Sequence, residues 1–529
     1  MTLSLAVIGA GASTVALLCA LRSDLSLEPM DITIFEPSAH LWRGRAYQPD
    51  ADCVLVNSVP TDMSVDGSDH GHVEDWLAAR RIFCGPMESF ADPVSQSVFM
   101  PRPVYGDYLE QSARQALLDL ARRGWSVRIE RRSVKAIQRT DSHSLRVIAD
   151  ESGPEFLAFD RVVLATGAGR PTDVFGLRGV PGFIADPYPV ADHLRRVDRM
   201  DTVAVIGTGL TAVDVALALR SQGHQGPIRL LSRSGALPGV RQRAVTLDLA
   251  HFTRETFARL RHEQGSLTLT DVVRVFRQEL EHWGESDERL VDELARVQTE
   301  DGVSRLRRHL GEVEDSSLAL RLAQRAIPEA GPDIWPYLPD AEQDLLLSSH
   351  YRTMMSICCP MPPQSARLLV DMIDGGQLTV ESGLQLVGKA APAPGFEVTV
   401  HGRSSVVDTV VSAVNARVRG YSPETAELVD SLVTDGLARR HRHGGLVTDR
   451  STSRVSSPSG EESGLYTLGD PAAGSLFFTF GIESLVDRAI DIALDLSLLQ
   501  RGDDLPTLAI HSPIHDRDPA SRADRGALA

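Results

Sequence analysis

The chain opens on a run, Leu3–Ile8, that is apolar at every position but Ser4 and breaks at Gly9-Ala10-Gly11. From Ser13 to Arg22 the apolar residues continue at helical density, and a second run, Asp31–Phe35, ends on Glu36. Strand, tight turn, helix and strand are the elements this spacing predicts. The same order returns later, with Asp201–Ile206, a turn at Gly207-Thr208-Gly209, a helix through Leu219, and Ile228–Leu231 running into Ser232-Arg233-Ser234. Two further buried-strand patterns echo each other, Val162–Ala168 closing on Gly167 and Val410–Ala416 containing Asn415. They predict an exit from a first domain and a return to it, with a second domain inserted between. From Arg241 to Ala366 the period shifts to 3.6, and Leu269–Trp283, Arg289–Val297, Ser304–Leu310 and Ser317–Ala326 read as helices. A serine-rich stretch, Asp449–Ser463, reads as a flexible loop. The strand Gly464–Leu468 follows, ending in Gly469-Asp470, and an amphipathic helix runs from about Ile482 to Leu499.

Each glycine turn has the chemistry of a dinucleotide fingerprint. Gly9 and Gly11 let backbone approach a pyrophosphate, the helix starting near Ser13 turns its positive end toward that charge, and Glu36 can take ribose hydroxyls. Thr14 stands where a third glycine is usual. In the second unit Gly207, Gly209 and Thr211 occupy the turn, and Ala212 is an accepted third residue. No acid ends its second strand. Arg233 and Ser234 stand there instead, suited to a 2′-phosphate and so to NADPH, although Arg233 also fits a plain surface arginine. Two Rossmann-like units with a helical insertion make an α/β chain. The expected boundaries are 1–185 for the first segment of an FAD domain and 186–408 for an NAD(P) domain with its insertion at about 241–366. The second FAD segment would be 409–500, followed by a frayed tail at 501–529.

With two nucleotide units, Gly469-Asp470 and its following helix, the chain resembles the two-dinucleotide-binding-domain flavoproteins, which include glutathione reductase-like enzymes and class B flavin monooxygenases. Gly44–Tyr47, Leu55–Pro60, Met63-Ser64, Pro101–Leu109 and Gly207–Asp214 are similar to a bacterial subgroup of FAD-NAD(P)-binding proteins. Amino-acid N-hydroxylases, aspartate N-monooxygenases among them, stand in that broad group. The resemblance implies FAD, with Asp470 on the ribityl chain and the helix after Gly481 directed at the flavin pyrimidine. Arg102 and Thr166 join the implied cofactor set. It further implies reduction by NADPH, a flavin C4a-hydroperoxide formed from O2, and attack on it by a small-molecule amine. Asn57 falls near the flavin edge by the same resemblance; a turn-stabilising asparagine is the other reading. A carboxylate substrate needs arginines, and Arg102, Arg241, Arg243 and Arg352 are the candidates.

Composition removes other classes. A net charge of −17 argues against a nucleic-acid or anionic-membrane binder. Only Lys135 and Lys389 are lysines, and neither setting suits a Schiff base. Five cysteines without a C-x-x-C exclude the dithiol reductases. His70/His72 and His441/His443 lack further ligands at metal spacing and read as solvated, so no metal is expected. The apolar opening mimics a secretion signal, but no basic residue precedes Arg22 and Gly9–Gly11 interrupts it. No apolar run reaches 18 residues, so no membrane partner and a cytoplasmic location are expected. A homo-oligomer is compatible with all this. An electron-transferring NAD(P)H oxidoreductase and a non-catalytic flavoprotein that senses nucleotide remain the alternatives.

Overall fold

The computed structural model describes residues 2–84, 90–140, 144–150, 156–167, 169–391, 394–414 and 423–502. Two parallel sheets organise it. The first has the strand order Arg454–Ser456, Glu462–Thr467, Arg161–Leu164, Ser4–Ile8, Asp31–Phe35, Ser126–Glu130, antiparallel only at the Arg454–Ser456 edge. The second runs Leu378–Glu381, Ile228–Leu231, Val203–Ile206, Thr409–Ser412, Phe183–Ile184, parallel throughout. Each sheet carries a three-stranded antiparallel ribbon, the first made of Val134–Arg139, Leu145–Ala149 and Leu157–Phe159, the second of Leu384–Lys389, Phe396–Val400 and Arg403–Val407.

The helix Ala12–Ser23 is apolar on nearly every side because two helices, Arg102–Arg122 and Ile482–Arg501, enclose it against the first sheet. Between Ile228–Leu231 and Leu378–Glu381 of the second sheet a helical body is inserted, Arg254–Gln264 through Tyr351–Cys358, with its own core around Phe252, Phe257, Phe276 and Trp335. Its helices match the four predicted spans closely. The last of them, Ala319–Ile334, continues through Pro328 and Pro332, where periodicity suggested an end at Ala326. Burial of Ala330, Pro332 and Ile334 outweighs the lost backbone bonds there.

Three expectations need correction. Thr409–Ser412 does not return to the first sheet; it pairs with Val203–Ile206 in the second, so a boundary at 408/409 would cut that sheet. The echo reflects a shared role. Arg161–Leu164 and Thr409–Ser412 each flank the strand that leads into a glycine turn. Asn415 and Ala168 lie outside the described residues. The chain rejoins the first domain with the helix Pro423–Thr434, packed on Val134–Arg139, where Ser431 Oγ accepts from Ile137 N at 3.3 Å.

The serine-rich stretch is ordered structure. Asp449 accepts hydrogen bonds from the backbone and hydroxyls of Ser451 and Thr452, and Arg454–Ser456 forms the sheet edge. Short polar side chains there close turns on their own backbone, which periodicity does not register. His441 and His443 are half-buried, not solvated, and His443 lies against Trp335. Of the expected tail, Arg501 and Gly502 end the last helix, and 503–529 lie outside the described residues.

Candidate functional site

The strand Ser4–Ile8 delivers Gly9 at φ +108°, a conformation that favours glycine, and a Cβ there would collide with the Ala165 carbonyl oxygen. Thr14, fully buried, explains the departure from the usual glycine: its hydroxyl donates to Gly9 O at 2.7 Å and closes the turn from inside. Glu36 accepts from Ala10 N at 2.9 Å and Ser38 N at 2.8 Å, which fixes its carboxylate beside the turn. Gly11 caps Ala12–Ser23 without any side-chain hydrogen bond and no acid stands in the first turn, so the helix's positive end stays available to an anion.

The second unit repeats these features. Gly207 has φ +123°, and a Cβ on it would come within 2.9 Å of Ala413 O, the position matching Ala165. Gly209 caps Leu210–Ser221, again without a side-chain bond. Thr208 Oγ1 donates to Ala236 O at 2.6 Å, and Ser232 Oγ accepts from Gly235 N at 2.8 Å, shaping the loop that carries Arg233 and Ser234.

Both turns open on one cleft of about 2450 Å³, well above the roughly 300–1,000 Å³ of a pocket for a single drug-sized ligand. Gly9, Gly11, Ser13, Glu36, Asn57, Arg102, Thr166, Gly207, Gly209, Thr211, Arg233, Ser234, Arg352 and Asp470 all line it. Gly469, Gly481, Arg241 and Arg243 do not. Gly469, at φ +86°, presents Asp470, and Gly481 caps the helix Ile482–Arg501. Thr166 Oγ1 is buried with no protein partner among the described residues. That orphaned hydroxyl and the crowded glycine cradles fit a bound dinucleotide.

The candidate arginines separate by their surroundings. Arg243 pairs with Glu314 and donates to Val94 O at 3.2 Å, away from the cleft, so it is a structural ion pair. Arg102 pairs with Asp214 at 2.8 Å and donates to the Tyr188 hydroxyl at 3.2 Å. Its charge is already matched, and it ties the helix Arg102–Arg122 to Leu210–Ser221 across the cleft. Arg241 is within electrostatic reach of Cys359, which lines the cleft. Burial holds its guanidinium below the usual arginine range against the opposing charges of Asp62 and Glu483, and its Nε has no partner among the described residues. Glu483, in the first turn of Ile482–Arg501, is pushed up to about 7 by burial although Arg325 bonds it.

Sequence reasoning missed the contact around Tyr188 that joins the two units. The guanidinium groups of Arg45, at 5.2 Å, and Arg102, at 5.4 Å, both lie over the Tyr188 ring, whose hydroxyl donates to Asp214. Arg45 also pairs with Asp186. Arg45, Arg102 and Asp214 all stood in quoted motifs; the turn Asp186-Pro187-Tyr188-Pro189 was the remaining signal. Among the described residues no group of side chains could hold a metal ion, and no helix is long and apolar enough to cross a membrane.

Two parallel dinucleotide sheets facing a shared cleft, with a glycine-aspartate strand end and a long helix behind it, define the fold of the two-dinucleotide-binding-domain flavoproteins. Residues 6–169 match a family model described as FAD-NAD(P)-binding. No curated protein matches by sequence. Among solved structures, the cadaverine monooxygenase of desferrioxamine biosynthesis from Erwinia amylovora, bound to FAD, is 11% identical with a TM-score of 0.60, covering 97% of this chain and 98% of that one. An L-lysine 6-monooxygenase from Pseudomonas syringae is 16% identical at TM-score 0.56, covering 94% and 99%. A Kutzneria ornithine N-hydroxylase is 15% identical at TM-score 0.51, covering 94% and 100%.

Proposed function

We propose that this chain is an FAD- and NADPH-dependent monooxygenase that uses O2 to hydroxylate a nitrogen of a small amine or amino acid, aspartate being one candidate. The observation that carries the reading is the single cleft onto which both glycine turns, Asp470 and Asn57 open. The similarity in fold to hydroxylases of ornithine, lysine and cadaverine supports it.

Glu36 takes ribose hydroxyls of FAD, the start of Ala12–Ser23 faces the pyrophosphate, and Asp470 holds the ribityl chain. The capped start of Ile482–Arg501 faces the pyrimidine side. Bound FAD supplies the redox centre that NADPH reduces and that activates O2. Asn57 contributes a side-chain amide at the flavin edge. The helical body shields the cleft from bulk water. Arg241 does not itself line the cleft, but its Nε has no partner among the described residues, and it is the candidate kept for a substrate carboxylate, with Asp62 and Glu483 as its opposing charges. NADPH use accords with a cytoplasmic enzyme.

The test supplies the FAD-loaded protein with NADPH and a panel of amino acids and diamines, measuring hydroxylamine product against NADPH consumed. An amine must react uncharged and has a pKa near 10, so coupled turnover should rise toward alkaline pH. Hydrogen peroxide alone with every amine would defeat N-hydroxylation and favour oxidation of another atom or plain electron transfer. A protein that takes up no FAD would defeat the entire reading.

A further inference from the structure

Arg352, one of the candidates for a substrate carboxylate, lines the cleft. The helix Tyr351–Cys358 that carries it is stitched by backbone to the segment following Ile228–Leu231. Gly239 N donates to Ser356 O at 2.8 Å, Met361 N to Gly239 O at 2.7 Å, and Arg241 N to Met361 O at 2.9 Å, with Val240 and Met361 bridged in parallel. The Arg233-Ser234 loop is equally fixed: Gly383 N donates to Arg233 O at 3.1 Å and Leu384 N to Ser232 O at 3.1 Å. Helix and loop are therefore each fixed by backbone bonds, and both line the cleft.

Both guanidinium groups are exposed, and neither makes an ion pair or side-chain hydrogen bond among the described residues. What sets Arg233 and Arg352 apart from the other arginines of the cleft is their mutual proximity with no carboxylate paired to either. Partial burial and then the charge of Arg233 hold Arg352 below the ordinary arginine value, so the two are within electrostatic reach of each other. Hydroxyls of Ser234, Ser348 and Ser349 line the same pocket. The last two come from a π-helical turn, Leu346–His350, that widens the chain just before Tyr351. Two like charges with nothing between them are relieved by a dianion, and hydroxyl donors complete its shell.

We infer that Arg352, reaching over from the helical body, is the second arm of a two-arginine clamp on the 2′-phosphate of NADPH, with Arg233 as the first. The clamp rests on the reading that the second dinucleotide is NADPH. It makes the helical body a determinant of coenzyme choice and assigns Arg352 to the coenzyme, not to the substrate carboxylate.

Titration calorimetry of the FAD-loaded protein with 2′,5′-ADP and with 5′-ADP reads the clamp without turnover. Wild type should bind 2′,5′-ADP more tightly by about a hundredfold, and Arg352→Ala should lose about tenfold of that preference while 5′-ADP affinity and flavin content stay unchanged. Arg352→Lys should retain part of the preference, because the charge remains and the planar fork does not. Preference intact in Arg352→Ala, or equal weakening of both ligands, overturns the clamp alone. If wild type shows no preference, the NADPH reading falls with it. If inorganic phosphate competes with 5′-ADP as strongly as with 2′,5′-ADP, the arginines serve a free anion and the clamp is again overturned.

Discussion

Single side chains carried much of the legible chemistry. Gly9, Glu36, Gly207 and Arg233 could be chosen from spacing because each performs a local task at a strand end, and the cleft brings them together. What spacing could not supply is the partner. Nothing within a few positions of Arg102 shows that Asp214 and Tyr188 will meet it, so a matched charge looked the same as a free one. His441 erred for the same reason. Its Nδ1 accepts from His443 N at 3.2 Å, and a Cβ on Gly474 would lie 2.6 Å from that nitrogen, so the ring is wedged against the loop after Asp470. Burial, then the neighbouring charges of His443 and Arg442, push its pKa down to about 4. The unfolded chain takes up this proton near pH 6.5 and the folded chain only near 4, so stability is complete above 6.5 and drains away as pH falls between the two. The share of this one group is on the order of 2 kcal/mol after allowance for partial solvation. His441→Asn, which keeps an acceptor, should flatten the fall in melting temperature between pH 7 and pH 5 relative to wild type.

Helices and long strands were legible because periodicity is a property of the element itself. Three of the helical body's four predicted spans and the last helix needed no distant information; the run from Ala326 to Ile334 did. Elements whose stability comes from tertiary polar contacts were opaque, and the segment after Asp449 is the clearest case. Arg450, almost fully buried, bonds Asp333 of the helical body at 2.6 Å and Asp491 of Ile482–Arg501 at 3.0 Å. A stretch read as mobile is thus pinned between two helices by a buried guanidinium. Arg450→Ala leaves two buried carboxylates short of a partner and should cost about 3 kcal/mol in urea unfolding. Arg450→Met, similar in length and apolar, should cost nearly as much, since the carboxylates remain. A loss below about 0.5 kcal/mol in both would place the stretch back among flexible surface loops.

For the whole molecule, the α/β class and the two dinucleotide units were evident from the repeated turn, whereas the placement of Thr409–Ser412 was not. A strand's sequence states that it is buried and parallel, and leaves open which sheet receives it. The two sheets and the helical body are joined pairwise: Arg102 to Asp214 across the cleft, Arg450 to Asp333 between the first domain and the helices, and Arg305 to Leu237 O at 2.9 Å between the helices and the second domain. Spin labels at the exposed Leu25 and Met200, one on each side, should keep their separation within about 2 Å when NADP+ is added. A larger shift would mean that one of the joints opens during binding.

Three bodies braced at three joints form a triangle, and a triangle, unlike a two-plate hinge, cannot change one angle without stretching a side. Coenzyme must then enter and leave along the mouth of the cleft, not through a swing of one domain. The tempo of exchange would be governed by the few residues at that mouth, and crowding agents that suppress large domain motions should leave it unaltered.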